Sequence, residues 1–130
     1  MRNTAGTESR AGHLARRLFS LEFFPPRTPE GIEKLRAARR QLAQLKPAFC
    51  SVTFGAGGST REGTLATVLE FRADSLEAVP HISCVGGSRE SIGEVLARYR
   101  AHGIRHLVAL RGDLPSGSGD AGDFRFASEL

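Results

Sequence analysis

Short apolar runs alternate with longer amphipathic stretches along most of this chain, and that alternation restricts the fold more than any other feature. "RLFSLEFF" (17–24) reads as a strand stopped by Pro25 and Pro26. "TPEGIEKLRAARRQLAQLKP" follows, with Thr28 as N-cap, Pro29 at the first helical position and Glu30 in the first turn. Ile32, Leu35, Leu42 and Leu45 recur there at helical spacing with Ala38 between them, and Pro47 closes the segment. "AFCSVTF" (48–54) is a second strand, leading through "GAGGST" into a helix over 61–72 with Leu65, Val68 and Leu69 on one face. "AVPHISCV" (78–85) is a third strand, and a helix carrying Ile92, Val95, Leu96 and Tyr99 in register stops at Gly103. "IRHLVAL" (104–110) is a fourth strand, followed by the turn-rich "RGDLPSGSGDAGDF"; "RFASEL" is a candidate start for a fourth helix. Strands alternating with helices of this length imply a parallel sheet. A doubly wound sheet and part of a (β/α)8 barrel both fit, although a complete barrel takes about 250 residues.

Composition narrows the function classes. A hydrophobic content of 40% and a charged content of 25% are those of a globular domain, and no apolar run is long enough to span a bilayer. The net charge of +4 rests on arginine, but the arginines alternate with glutamates along the helices (Glu33/Arg36, Glu70/Arg72, Glu94/Arg98) and form no basic face for nucleic acid. Cys50 and Cys84 lie in apolar runs without metal spacing and read as buried, reduced thiols of a cytoplasmic protein. His13, His102 and His106 read as surface or packing residues, and no cluster has the spacing of a metal site. Residues 1–16 are polar and small and are expected to form a disordered tail before a domain over 17–130.

In either architecture function collects at the carboxyl ends of the strands. Each strand delivers something polar there: Glu22 from the first, Thr53 and the glycine loop from the second, His81 and Ser83 from the third, Arg111 and Asp113 from the fourth. A carboxylate inside an apolar strand should be partly desolvated, which suits a general acid; a structural ion pair with Arg27 or Arg111 is the alternative. "GAGGST" resembles a phosphate cradle but lacks the lysine of a P-loop and the third glycine of a dinucleotide fingerprint; a tight strand-to-helix turn is the reading that needs no ligand. His81 reads by default as a core histidine and otherwise as a hydrogen-bond partner of a cofactor. "RGD" at 111–113 directly follows an apolar strand, which argues against an adhesion motif; a guanidinium and a carboxylate there either bind an anion and a nitrogen heterocycle or bridge each other.

Four stretches, "SLEFFPPRT", "SVTFGAGGSTREGT", "VPHISC" and "GIRHLVALRGDLPSGSG", together resemble the methylenetetrahydrofolate reductase family in order and spacing, over roughly residues 18–130. The resemblance implies a (β/α)8 barrel with FAD at its carboxyl-terminal face, of which this chain holds about the first four β/α units, a half-barrel. It also implies the reaction. NADH or NADPH gives hydride to the flavin, and 5,10-methylenetetrahydrofolate then accepts it to become 5-methyltetrahydrofolate. Glu22 corresponds to the family's acid. Asp113 corresponds to a residue near both the flavin and the folate pterin, making Glu22, Thr53 and Asp113 the expected substrate-binding positions. Thr53, Phe54, Ala56, His81, Arg111, Gly112, Asp113 and Ala127 match cofactor-contacting positions.

Two departures stand out. Phe54 occupies a position that is commonly tyrosine, and Gly63 one that usually carries a larger polar residue, which weakens its helix. The family's catalytic domain also continues for a comparable length, so this sequence is expected to be a partial form. The alternatives are a half-barrel that pairs with itself or with a second half-barrel chain, a stable monomeric enzyme of this length, and an inactive half-barrel that serves only as an assembly module.

Overall fold

The structure, a computed structural model, describes residues 17–55, 60–114, 119 and 122–130. The expected tail, Ala56 and the centre of the glycine loop lie outside the described residues. The elements are β1 (Ser20–Phe23), α1 (Pro29–Ala43), β2 (Phe49–Val52), α2 (Arg61–Ala73), β3 (Ala78–Ser83), α3 (Arg89–Ala101) and β4 (Val108–Leu110), then a 3-10 turn over Ala127–Glu129. All neighbouring strands are parallel and the spatial order is β1-β2-β3-β4. A doubly wound sheet reverses its strand order at a switch point. Here the order never reverses, which is the arrangement of a partial (β/α) barrel.

The local reasons are visible residue by residue. Thr28 caps α1 by accepting a hydrogen bond from the Gly31 N–H at 3.1 Å. Thr64 of α2 donates its hydroxyl to the Thr53 carbonyl at 2.7 Å and so ties the helix to the end of β2. Ser88 and Ser91 form a reciprocal capping box at the start of α3. Strand alternation then sends Phe23, Cys50, Val52, Ala78, Pro80 and Ile82 toward the helices, where they meet Leu65, Val68, Phe71, Ile92, Val95 and Tyr99. Phe71 packs edge-on against Phe23 at 5.0 Å between ring centroids. Each such large side chain contributes roughly 1.5–3 kcal/mol on burial.

Several sequence expectations are corrected. The fourth strand was expected over 104–110, but only 108–110 pair. Ile104 belongs instead to the end of α3: its N–H bonds the Tyr99 carbonyl at 3.0 Å, and the Gly103 N–H bonds that of Arg100, also at 3.0 Å. This is a Schellman closure, with Gly103 at φ +69° and Ile104 buried. On α1, Ala38 is exposed and Arg39 is buried in its place. The Arg39 guanidinium lies 5.2 Å from the centroid of Phe71 and bridges Glu70 and Asp74 of the α2 region. "RFASEL" yields only the short 3-10 turn. Among the described residues, no helix is long and apolar enough to cross a membrane.

Candidate functional site

The same alternation that buries one face of the sheet puts Glu22, Ser51, Thr53, Val79, His81, Ser83, Val108 and Leu110 on the other. Toward the carboxyl ends this open face forms a cleft of about 340 Å³. Glu22, Thr53, His81, Gly112 and Asp113 all line it, together with Phe54, Gly55 and Ser83. Four of the strands thus bring their polar residues to one place. A second hollow of similar size lies at the opposite ends of the strands and is lined mainly by Phe49, Val79, Leu107 and Val108. It contributes little besides Glu77 and His106, whose side chains approach to 3.6 Å.

Within the cleft, the Glu22 Oε2 lies 3.5 Å from the His81 Nε2. The side chain facing the Glu22 carboxylate is therefore His81, neither Arg27 nor Arg111. His81 is buried, and burial pushes its imidazole below the ordinary value while the neighbouring Glu22 charge pulls the other way. Its backbone carbonyl accepts the Tyr99 hydroxyl at 3.4 Å. Glu22 departs from the expectation of a desolvated carboxylate: its side chain is 54% exposed. The reason is geometric. Leu21 and Phe23 point to the helix face, so the residues that surround Glu22 in sequence do not surround it in space.

Thr53 is held at both backbone ends, its N–H donating to Phe23 at 3.0 Å and its carbonyl accepting from Thr64. The Phe54 ring is buried under the Arg61 guanidinium, 5.6 Å from its centroid. The Arg111 side chain turns back so that its Nε donates to the Gly112 carbonyl at 3.2 Å, and the guanidinium does not line the cleft. Ala127 sits in the 3-10 turn and is likewise outside the lining.

A chain of this fold and motif content matches a family model described as methylenetetrahydrofolate reductase over residues 9–130. The chain belongs to the methylenetetrahydrofolate reductase family. It is 46% identical over 101 residues to 5,10-methylenetetrahydrofolate reductase of Pectobacterium carotovorum subsp. carotovorum and 44% identical over the same length to that of Escherichia coli. Each match takes in 77% of this chain and 34% of the relative. Methylenetetrahydrofolate reductase (NADH) 1 of Arabidopsis thaliana is 40% identical over 100 residues, 76% of this chain and 17% of the plant protein. The chain thus spans about a third of the length of the bacterial relatives.

Sequence reasoning missed how the segment after β4 returns to the sheet of this family member. Gly122 forms a parallel bridge with Gly87, and the Asp123 Oδ2 accepts the Arg89 N–H at 2.8 Å at the start of α3. Phe124 is buried beneath the Arg89 guanidinium, 5.1 Å from the ring centroid. The signal available was an aromatic residue at 124 in an otherwise polar loop. Among the described residues, no group of three or more His, Cys, Asp or Glu is placed to hold a metal ion.

Proposed function

We propose that this chain supplies the acid and the flavin-facing residues of an FAD-dependent reductase that converts 5,10-methylenetetrahydrofolate to 5-methyltetrahydrofolate with NADH or NADPH as electron donor. The observation that carries this reading is the convergence of Glu22, Thr53, His81 and Asp113 on one cleft at the carboxyl ends of the strands. The donor set suits a planar, acceptor-rich ring: the Thr53 hydroxyl and the His81 imidazole can hydrogen-bond it, and Asp113 sets a negative charge beside it. Bound flavin would supply the hydride chemistry that none of these side chains can perform.

The chain's own residues have separable roles. Glu22 delivers the proton that opens the folate's imidazolidine ring. His81, kept neutral by burial, stands 3.5 Å from that carboxyl and orients it without adding a competing charge. Asp113 favours a cationic form of the folate. Gly112, at φ +82°, turns the chain so that Asp113 reaches the cleft.

A second reading is an inactive half-barrel that acts by assembly. It is favoured by the large apolar side chains on the open face and at the β4 edge: Phe49, Leu107 and Leu110 are all exposed. One experiment separates the two. The purified chain is incubated with FAD, desalted and examined by visible absorption, then mixed with NADH or NADPH. Retained, reducible flavin supports the enzymatic reading; a colourless chain overturns it for these four units alone.

A further inference from the structure

The turn that presents Asp113 is fastened to β3 by a side chain to which no role has been assigned. The β3–β4 ladder runs past its last paired residues: the Cys84 N–H bonds the Leu110 carbonyl at 3.1 Å and the Val85 N–H bonds the Arg111 carbonyl at 2.8 Å. The Ser83 hydroxyl donates to that same Arg111 carbonyl at 3.1 Å. The Cys84 Sγ lies 3.8 Å from the same oxygen as a weaker third donor, so the two short bonds, from the Val85 N–H and the Ser83 hydroxyl, set the direction of the carbonyl. Immediately afterwards the chain turns at Gly112, with φ +82°. The turn lies tight against the clamp, since a Cβ at Gly112 would overlap the Ser83 Oγ and come within 2.8 Å of the Val85 Cγ1. Asp113 leaves this turn into the cleft that Glu22 and His81 line.

We propose that Ser83 is a positioning residue: its hydroxyl fixes the Arg111 carbonyl and so holds the Gly112 turn that carries Asp113 into the cleft. The consequence for Asp113's partner rests on the flavin reading above; the clamp itself needs no ligand. The hydroxyl matters rather than bulk: an alanine fills nearly the same space but leaves only the Val85 N–H, the weak Cys84 S–H and solvent to hold the carbonyl.

The test is residue-resolved amide exchange on the intact chain, comparing the native protein with Ser83→Ala and Ser83→Thr. In Ser83→Ala the Val85 amide should exchange about fivefold faster, in keeping with one lost hydrogen bond. The Cys50 amide, bonded to the Glu77 carbonyl at 2.7 Å on the far side of β3, should keep its protection. Ser83→Thr retains the hydroxyl and should restore Val85 to within about twofold of the native rate. Unchanged Val85 exchange in Ser83→Ala overturns the proposal, as does a Cys50 amide that loosens equally, a threonine that fails to restore, or a native Val85 amide without protection. If Ser83→Ala does not fold, Ser83→Cys, with its weaker donor, should give an intermediate loss, and a native rate there overturns the clamp.

FAD titration of the same proteins separates the two readings. A native chain that binds no FAD sinks the proposed function, while the exchange data still decide the clamp. Where FAD binds, Ser83→Ala should weaken it by up to about fivefold and Ser83→Thr should not. Equal affinity in all three removes the positioning role.

Discussion

Replacing Gly112 by alanine tests whether the turn before Asp113 is held in place or merely happens to rest there. Two costs arise. The backbone sits at φ +82°, where a side chain costs roughly 1–2 kcal/mol. The new Cβ also overlaps the Ser83 Oγ and comes within 2.8 Å of the Val85 Cγ1; rotating Ser83 would relieve the first contact but not the second, so the loop lifts off β3. Lifting forfeits the hydrogen bonds to the Arg111 carbonyl from the Ser83 hydroxyl and the Val85 N–H, at about 1 kcal/mol each, besides the weak Cys84 Sγ contact at 3.8 Å. Because the turn is on the surface, that forfeit is also the ceiling on the steric cost, and the total comes to about 3–4 kcal/mol. In a Ser83→Ala background the overlap with Oγ is gone and one of the bonds is already absent, so the same substitution should cost about 1 kcal/mol less. Urea unfolding followed by circular dichroism, over the four proteins of this cycle, measures that coupling directly. Additivity within about 0.3 kcal/mol would show that Gly112 and Ser83 act independently, and the packing argument would fail.

Three further outcomes are expected. In a preparation that retains flavin and turns over, Glu22→Gln should slow folate reduction by about 100-fold or more while leaving hydride transfer from the nicotinamide to flavin within about twofold; stopped-flow traces of both half-reactions check it, and a joint fall would make Glu22 structural. Burial pushes the His81 imidazole below the ordinary 6.5, so below that pH the unfolded chain binds a proton that the folded chain refuses. Stability is therefore full above pH 6.5 and falls as the pH drops toward the depressed folded value; urea midpoints across this window should show the slope, and His81→Gln should reduce it. Tyr99, the chain's one tyrosine, is pushed up to about 12 by burial, with the nearby Arg61 and Arg98 charges opposing. Stability is present below its ordinary 10.0 and is lost as pH rises toward about 12, and ultraviolet titration of the native chain should show no phenolate until that upper range.

What could be read from the sequence was what local chemistry decides. Thr28 and Pro29 mark the start of α1 and Gly103 the end of α3, because caps and left-handed stops depend on a few neighbouring atoms. The polar residues at the strand ends were legible for the same reason: period-2 alternation and strand termini locate them before any packing is known. The errors came where a residue's setting is made by distant chain. Ile104 looked like strand and belongs to a helix terminus, since only the Gly103 turn decides which way it points. Arg39 looked like an exposed residue of a charged helix, yet Glu70, Asp74 and Phe71, all remote in sequence, make it a buried one. Ser83 was visible at the end of β3, but its bond to Arg111 spans 28 residues and has no local signature.

Glu22 shows how these two kinds of information combine. Its apolar neighbours Leu21 and Phe23 suggested a desolvated carboxyl, and alternation turns both away from it, leaving the group 54% exposed on the open face. A carboxyl is kept protonated near neutral pH chiefly by loss of water or by a neighbouring negative charge. On this face the described partner at hand is His81, which is neutral when buried and supplies neither. If Glu22 is the acid of the proposed function, whatever dries it lies over the open face of the sheet. A flat heterocycle seated across Thr53, His81 and Asp113 would cover the carboxyl as it binds. On the proposed function, the ligand that the acid serves is also what takes it out of water. The prolines after β1 fit that arrangement: the strand stops at Phe23, and after Phe24 the pair Pro25 and Pro26 prevents its extension, so Glu22 stays at the rim of the cleft, where a ring can reach it.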